Sequence, residues 1–178
     1  IMSPTTEAVG HLLPSFTGQL LQREDAAYDV SRRVHNGLIN KYPTIIARCA
    51  GTADIVDALA PARTLDLDVA VRGGGHNVAG RATIDGGLVV DLSPMKGIHV
   101  DVDARTARAQ GGVLWKEFNR ETQVHGLATT GGVVGSTGIA GLTLGGGIGW
   151  LMPKYGLALD NLRGADVVTT APIAVRPA

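Results

Sequence analysis

Ten consecutive residues combine backbone anion donors with a side chain that could act as a nucleophile. The segment Val71–Gly80 reads Val-Arg-Gly-Gly-Gly-His-Asn-Val-Ala-Gly. Successive N–H groups in a glycine turn form a concave nest that binds anions, so this segment predicts a seat for a diphosphate. Two familiar nucleotide patterns fail, because Val78 replaces the last glycine of G-x-G-x-x-G and Arg81 replaces the lysine of the P-loop. The segment therefore supports neither a Rossmann dinucleotide site nor a nucleotide triphosphatase.

His76 lies within this segment, and its residue type allows two interpretations. It could be a turn histidine whose ring bonds to nearby backbone, or a nucleophile whose imidazole forms a covalent bond to a cofactor. A metal site is not indicated, because zinc sites need paired ligands at short spacing. The other histidines show no such spacing; they are His11, His35, His99 and His125.

Glycine is concentrated again in a second segment downstream. The chain has 25 glycines in 178 residues, and ten of them fall within Gly126–Gly149. Each glycine in a regular element costs about 1 kcal/mol, so we interpret Gly145–Gly147 and Gly149 as backbone that wraps a ligand. Packing at helix crossings is enough to explain Gly138 and Gly141. We expect the two glycine segments to converge on a single cleft.

The composition excludes several classes of partner. The charges balance, with 16 Lys and Arg against 16 Asp and Glu, so the chain lacks the basic surplus that nucleic-acid binding needs. The sequence predicts no membrane-spanning segment and no signal peptide. Cys49 is the single cysteine, which excludes an internal disulfide framework and every multi-cysteine metal site. We therefore expect a protein of a reducing, cytoplasmic compartment that binds neither nucleic acid nor membrane.

Apolar patterning predicts the elements that must position these segments. The first part of the pattern is strand, helix, strand, which is typical of a βαβ unit with parallel pairing. Pro61 predicts a kink or an early end of the helix. From Gly87 the period changes to two, and a tight turn makes two of the following strands a hairpin. The predicted strands are 44–48, 68–72, 88–92, 98–102, 106–110 and 165–170, and the predicted helices are 52–65 and 113–124. This order indicates a mixed α+β layout.

Four motifs in a fixed order carry a resemblance to a known family. They are R-G-G-G-H-x-x-x-G at 72–80, the strand ending V-V-D-L at 89–92, G-I-A-G-L-T-L-G-G-G-I-G-W at 138–150, and K-Y-G-L-x-x-D-N-L at 154–162. Together they resemble the berberine-bridge-enzyme-like FAD-linked oxidases of the vanillyl-alcohol oxidase/p-cresol methylhydroxylase superfamily. The resemblance covers residues 28–170. It implies an α+β FAD-binding domain of the p-cresol methylhydroxylase type, with a small βαβ subdomain followed by a mixed, antiparallel subdomain, incomplete at the C-terminus.

The resemblance also implies which residues contact FAD. Residues 71–77 would wrap the diphosphate, and His76 would form the family's covalent bond to the 8α-methyl group of the flavin. Many relatives have a second link through a cysteine in the loop that corresponds to 132–136, where this chain has none, so a single link is implied. The implied FAD-binding residues are Val71, Arg72, Gly73, Gly74, Gly75, His76, Asn77, Gly80, Gly132, Thr137, Gly138, Gly141, Gly146, Gly147, Asn161 and Val167.

Family members continue past the strand at 165–170 with the rest of the flavin domain and a substrate domain. The resemblance therefore divides the chain into an N-terminal extension (1–27), an incomplete FAD-binding domain (28–170) and a tail (171–178), without a substrate domain. The implied whole protein is an oxidase that transfers a hydride from a CH–OH or CH–NH carbon of a sugar, alkaloid, amine or secondary metabolite to FAD and on to oxygen. Its catalytic base is not assigned. The alternative is an inactive truncated remnant or a non-enzymatic flavin-binding module.

Overall fold

The computed structural model of the protein describes residues 15–169 and 174–175. In chain order its elements are β1 (Gln19–Leu21), α1 (Tyr28–Arg32), β2 (Ile45–Arg48), α2 (Thr52–Thr64), β3 (Val69–Arg72), β4 (Leu88–Asp91), β5 (Ile98–Asp101), β6 (Thr106–Ala109), α3 (Trp115–Gln123), α4 (Ile139–Leu144), α5 (Met152–Tyr155), a 3-10 turn (Leu159–Asn161), β7 (Val167–Val168) and β8 (Ala174–Val175). Among these described helices, none has the length and apolar character needed to cross a bilayer.

A four-stranded sheet with the order β1-β2-β4-β3 forms the first half of the fold. Strands β2, β4 and β3 run parallel, and β1 pairs antiparallel with β2 at one edge. The predicted βαβ unit is correct in its parallel strands, but the expected direct pairing of β2 with β3 is wrong. Strand β4 lies between them because all four of its residues, Leu88 to Asp91, are buried, and a strand buried on both faces takes a central place in a parallel sheet.

Both faces of this sheet carry an apolar core. On one face, Ile45 and Ala47 of β2 pack with Ala58 and Ala62 of α2. On the other face, Ile46 packs with Tyr28 of α1, Leu21 of β1, Ala70 and Val89. Successive side chains of β2 point to opposite faces of the sheet, as the strand period requires. The sheet, packed on both faces, supports the loops at its carboxyl edge.

Helix α2 continues through Pro61 to Thr64. The expectation of an early end at Pro61 is therefore wrong. Pro61 lies in the last turn and is itself buried, and its carbonyl accepts a hydrogen bond from the Leu65 amide at 2.9 Å. Burial of the proline ring in the core offsets the loss of one helical hydrogen bond.

Asp54 of α2 anchors the chain that leads into β1. Its buried carboxylate accepts hydrogen bonds from the amides of Thr17 at 2.8 Å and Ala50 at 2.7 Å. Burial by itself raises the pKa of Asp54, but these hydrogen bonds outweigh it and hold the pKa below its ordinary value. The anchored segment and β1 both lie within residues 1–27, where the sequence predicts only an extension.

The second half of the fold is built on a hairpin and α3. Strands β5 and β6 pair antiparallel, as predicted. A third apolar cluster forms around Val113, Trp115 and Phe118, with Ala158 from the segment after α5. Within the predicted strand 165–170, Val167–Val168 form β7, which pairs antiparallel with β8; residue 170 lies outside the described residues. Parallel and antiparallel pairing in one chain confirms the predicted α+β class.

Candidate functional site

The loop that follows β3 presents a row of unpaired backbone donors. Within the described part of the chain, the amides of Gly73, Gly74, Gly75 and His76 donate to no backbone carbonyl. Gly75 adopts a positive φ of 70°, which turns the loop sharply before His76. The loop starts at the carboxyl edge of parallel strands, where open α/β sheets bind ligands. These features fit the anion nest predicted from the sequence.

The two glycine segments meet at Gly74 and Gly138. A Cβ atom on Gly74 would lie 2.3 Å from the Gly138 nitrogen, and a Cβ on Gly138 would lie 2.4 Å from the Gly74 nitrogen. Real Cβ atoms do not approach backbone so closely, so only glycine at both positions allows this contact. The contact confirms the expectation that the two segments converge on one cleft.

The His76 ring is held by hydroxyl groups from the second segment. Its Nε2 lies 3.1 Å from Ser136 Oγ, and its Nδ1 lies 3.5 Å from Thr137 Oγ1. Which ring nitrogen donates and which accepts depends on the tautomer. Burial, and then the charge of His35, lower the pKa of His76 below its ordinary value of 6.5. The imidazole is therefore mostly neutral at neutral pH, which is the form that can act as a nucleophile.

A cavity of about 400 Å³ opens beside His76, and cationic side chains line it. Arg72 lies on its wall and is held by a hydrogen bond from its Nη1 to the Ser31 carbonyl. Lys96 lies there too, bonded to the Gly112 carbonyl at 2.6 Å and to Glu117 at 2.8 Å. With Arg33 on the same wall, the cavity favours a ligand that carries negative charge.

Other predicted residues of the first segment shape the loop. The Asn77 carboxamide oxygen accepts from the amides of Ala79 at 3.1 Å and Arg81 at 3.2 Å. Gly80 has a φ of 68°, and a Cβ there would lie 2.7 Å from the side chain of Ile39. Val71 is exposed at the end of β3. These residues fix the turn that carries His76, and their contacts are with the protein itself.

Glycines of the second segment divide into packed and open positions. A Cβ on Gly132 would meet the side chains of Leu142 and Trp115, and one on Gly147 would lie 2.5 Å from Ala158. At Gly149 the Cβ would lie 1.9 Å from the Gly131 carbonyl, so close backbone packing is by itself enough to require glycine there. Gly141, by contrast, faces open space, and Gly146 needs glycine for its φ of 101°.

Two predicted residues lie later in the chain. Asn161 donates from Nδ2 to the carbonyls of Tyr155 at 2.9 Å and Leu157 at 2.8 Å, so its amide closes a turn. Val167 is half exposed in β7. Among the described residues, the side-chain hydrogen bonds of Asn161 go to this turn and none goes to the His76 loop.

The structure adds site residues that the sequence did not single out. His35 stacks on His76, with ring centroids 4.0 Å apart and planes 13° apart. Ser136, Arg33 and Lys96 complete the surroundings of the loop. Among the described residues no cluster of His, Cys, Asp and Glu could hold a metal ion. Cys49 is fully buried, and burial raises the pKa of its thiol to about 12, which makes it unreactive in the folded chain.

Comparison with known proteins relates this geometry to a cofactor. A family model described as an FAD binding domain matches residues 43–172. Among curated proteins, the chain is similar to (R)-6-hydroxynicotine oxidase of Paenarthrobacter nicotinovorans, with 40% identity over 155 residues that make up 87% of this chain and 34% of that protein. It is also similar to berberine bridge enzyme-like D-1 of Nicotiana tabacum, with 35% identity over 71% of this chain and 23% of that protein.

The similarity extends to a solved structure. The crystal structure of 6-hydroxy-D-nicotine oxidase from Arthrobacter nicotinovorans matches with a TM-score of 0.88 and 38% sequence identity, over 90% of this chain and 36% of that one. The chain thus spans about a third or less of the length of the curated relatives named here.

Proposed function

The chain belongs to the FAD binding domain family, as its four motifs predict, and from this premise we propose that the whole protein is a flavin-dependent oxidase. The proposed reaction transfers a hydride from a CH–OH or CH–NH carbon of a small molecule to FAD and then passes the electrons to oxygen. The observation that carries the proposal is the cleft where unpaired amides, cationic side chains and His76 meet.

In this proposal the diphosphate of FAD binds to the nest after β3. The amides of Gly73 to His76 donate to it, and Arg72 and Arg33 balance its negative charge. The donor set fits the group, because successive backbone N–H groups beside cationic side chains form a favourable site for an anion. When bound, FAD supplies the hydride-accepting chemistry, which no side chain provides. The protein contributes position, charge and a neutral imidazole at His76.

We further propose that FAD is attached covalently and only through His76. The His76 imidazole would bond the 8α carbon through one ring nitrogen and lose its N–H proton, while the methyl group would lose one C–H bond. The two electrons released would pass through the bound FAD to dioxygen, the oxidant of the proposed reaction, and leave with two protons as hydrogen peroxide. The lowered pKa of His76 supports this role because only a neutral imidazole has a lone pair to donate.

The experiment is anaerobic reduction of the full-length, FAD-loaded protein. A panel of CH–NH and CH–OH compounds that includes 6-hydroxynicotine, the compound in the names of two relatives, is mixed with it, and bleaching of the flavin absorbance is followed. We expect at least one compound to bleach the flavin, and hydrogen peroxide to form in equal amount when oxygen is admitted. The matched control is the same protein without substrate.

A different outcome favours the alternative. If the protein retains FAD but no compound of either class bleaches it, while dithionite does, the oxidase proposal fails. The chain is then part of a non-enzymatic flavin-binding module. If no FAD is retained, the assignment of the nest fails as well.

A further inference from the structure

We propose that His35 is a positioning residue that orients the His76 imidazole for attachment of FAD. The inference rests on the proposed attachment at His76 and adds a second residue to it. His35 comes from the segment between α1 and β2, well before either glycine segment.

The geometry restricts the His76 ring in two independent ways. The His35 ring lies parallel to it at 4.0 Å, which fixes the plane of the imidazole. The hydroxyls of Ser136 and Thr137 lie near its two nitrogens, which fixes its rotation within that plane. With plane and rotation both set, one imidazole nitrogen keeps a constant direction.

Backbone contacts hold the His35 segment against the His76 loop. The His35 amide donates to the Gly75 carbonyl at 3.0 Å, directly before His76. Asn36 donates from Nδ2 to the Val78 carbonyl at 2.8 Å, two residues after it. Arg72 reaches back to the Ser31 carbonyl. The loop is thus clamped on both sides of His76, and the clamp carries the stacked ring.

The surroundings of the two histidines also affect the protonation state of the His76 ring. Arg33, Arg72 and Lys96 line the cavity that both histidines face, and a second imidazole lies directly against the first. Glu117 bonds Lys96 at 2.8 Å and offsets one of these positive charges. Burial, and then the neighbouring His35, lower the pKa of His76, so the oriented ring is also the neutral one.

Substitutions at His35 can change the orientation of the His76 ring without disturbing the fold. The His35 side chain is exposed, so His35→Ala removes the ring without opening a cavity in the core. His35→Phe restores a flat ring that can stack but carries no charge. His125→Ala is the matched control, because His125 is exposed and lies outside the cleft.

The experiment measures two quantities in the full-length protein prepared without flavin. The first is the rate at which added FAD becomes acid-stable in air, followed by flavin fluorescence on denaturing gels. The second is the set of ring ¹⁵N chemical shifts of His76 before FAD is added. We expect His35→Ala to slow attachment by about tenfold or more, the cost of a loosely oriented reacting group. Reversible FAD affinity should change by less than about threefold, since the nest is untouched.

The His35→Phe variant distinguishes a positioning role of His35 from general damage to the protein. We expect His35→Phe to attach FAD within about threefold of the wild-type rate, because the stack is restored. In His35→Ala, averaged His76 ¹⁵N shifts should replace those of a single tautomer. An unchanged rate in His35→Ala, or an equally slow rate in His35→Phe, overturns the proposal. If His76→Ala still attaches FAD, the proposed function has failed instead, whatever His35 does.

Discussion

At the scale of single residues, the environment of His76 links flavin chemistry to folding stability. The folded pKa of His76 lies below 6.5, the ordinary value that the unfolded chain regains. Between these two values the unfolded state binds more protons than the folded state. Stability therefore falls as the pH decreases through this window and is fully retained above it.

This coupling can be measured with one substitution. We expect the free energy of unfolding of the flavin-free protein to fall more steeply in wild type than in His76→Asn between about pH 7.5 and about pH 5.5. Urea titrations at several pH values give the two curves. Parallel curves would mean that folding does not lower the pKa of His76.

The sequence predicts His76 but not its neighbours, for a physical reason. A histidine within a glycine nest is visible in ten consecutive residues. Ser136 meets it from 60 residues away, and His35 meets it from before β2. Such contacts depend on how the sheet brings loops together, and no local pattern encodes them.

At the scale of elements, the contact of Gly74 with Gly138 joins the β3 loop to the start of α4. We expect Gly74→Ala to push these two backbones apart and to weaken FAD binding by about tenfold to a hundredfold, the equivalent of moderate overpacking. Equilibrium binding of FAD, measured by quenching of flavin fluorescence, tests this.

A second glycine provides the control for that variant. Gly37 has no heavy atom within 4 Å of an added Cβ and no positive φ, so Gly37→Ala should bind FAD with wild-type affinity. Equal affinity in both variants would show that the close approach at Gly74 has no part in shaping the cleft.

Element boundaries followed from local patterns, whereas the strand order did not. Alternation and apolar runs place β2, β3, β4 and the β5–β6 hairpin within about two residues, the usual boundary error. Strand β1 has only three residues and no alternation long enough to detect. The insertion of β4 between β2 and β3 depends on which strand is buried on both faces, a property of the assembled sheet.

At the scale of the whole molecule, the described chain leaves apolar side chains uncovered. Because the resemblance implies that strands and a substrate domain absent from these 178 residues pack on this part of the chain, it predicts exposure around Ile139, Leu142, Leu144 and Trp150. Leu144 and Trp150 are 69% and 81% exposed, whereas Ile139 and Leu142 are half buried against the third cluster. The prediction is thus correct for two residues. For the other two it is wrong, because α4 turns them toward Trp115 and Val113.

The two tryptophans report on this surface. Trp115 is 3% exposed and Trp150 is 81% exposed. We expect acrylamide to quench one component of the fluorescence of the 178-residue chain efficiently and the other poorly, and Trp150→Phe to remove the quenchable one. In the full-length protein, where further chain can cover this surface, we expect acrylamide to quench the fluorescence of Trp150 less. Equal quenching of Trp150 in both forms would contradict that.

Covalent attachment at His76 is the central claim, and peptide mapping of the flavin tests it most directly. Trypsin cleaves after Arg72 and Arg81 and releases the nine-residue peptide Gly73–Arg81, which contains His76. In the full-length protein loaded with FAD, we predict that this peptide carries the mass of FAD less two hydrogens, in wild type and in Cys49→Ser alike. Flavin that leaves the protein in acid, or that is found on any other peptide, would contradict the account.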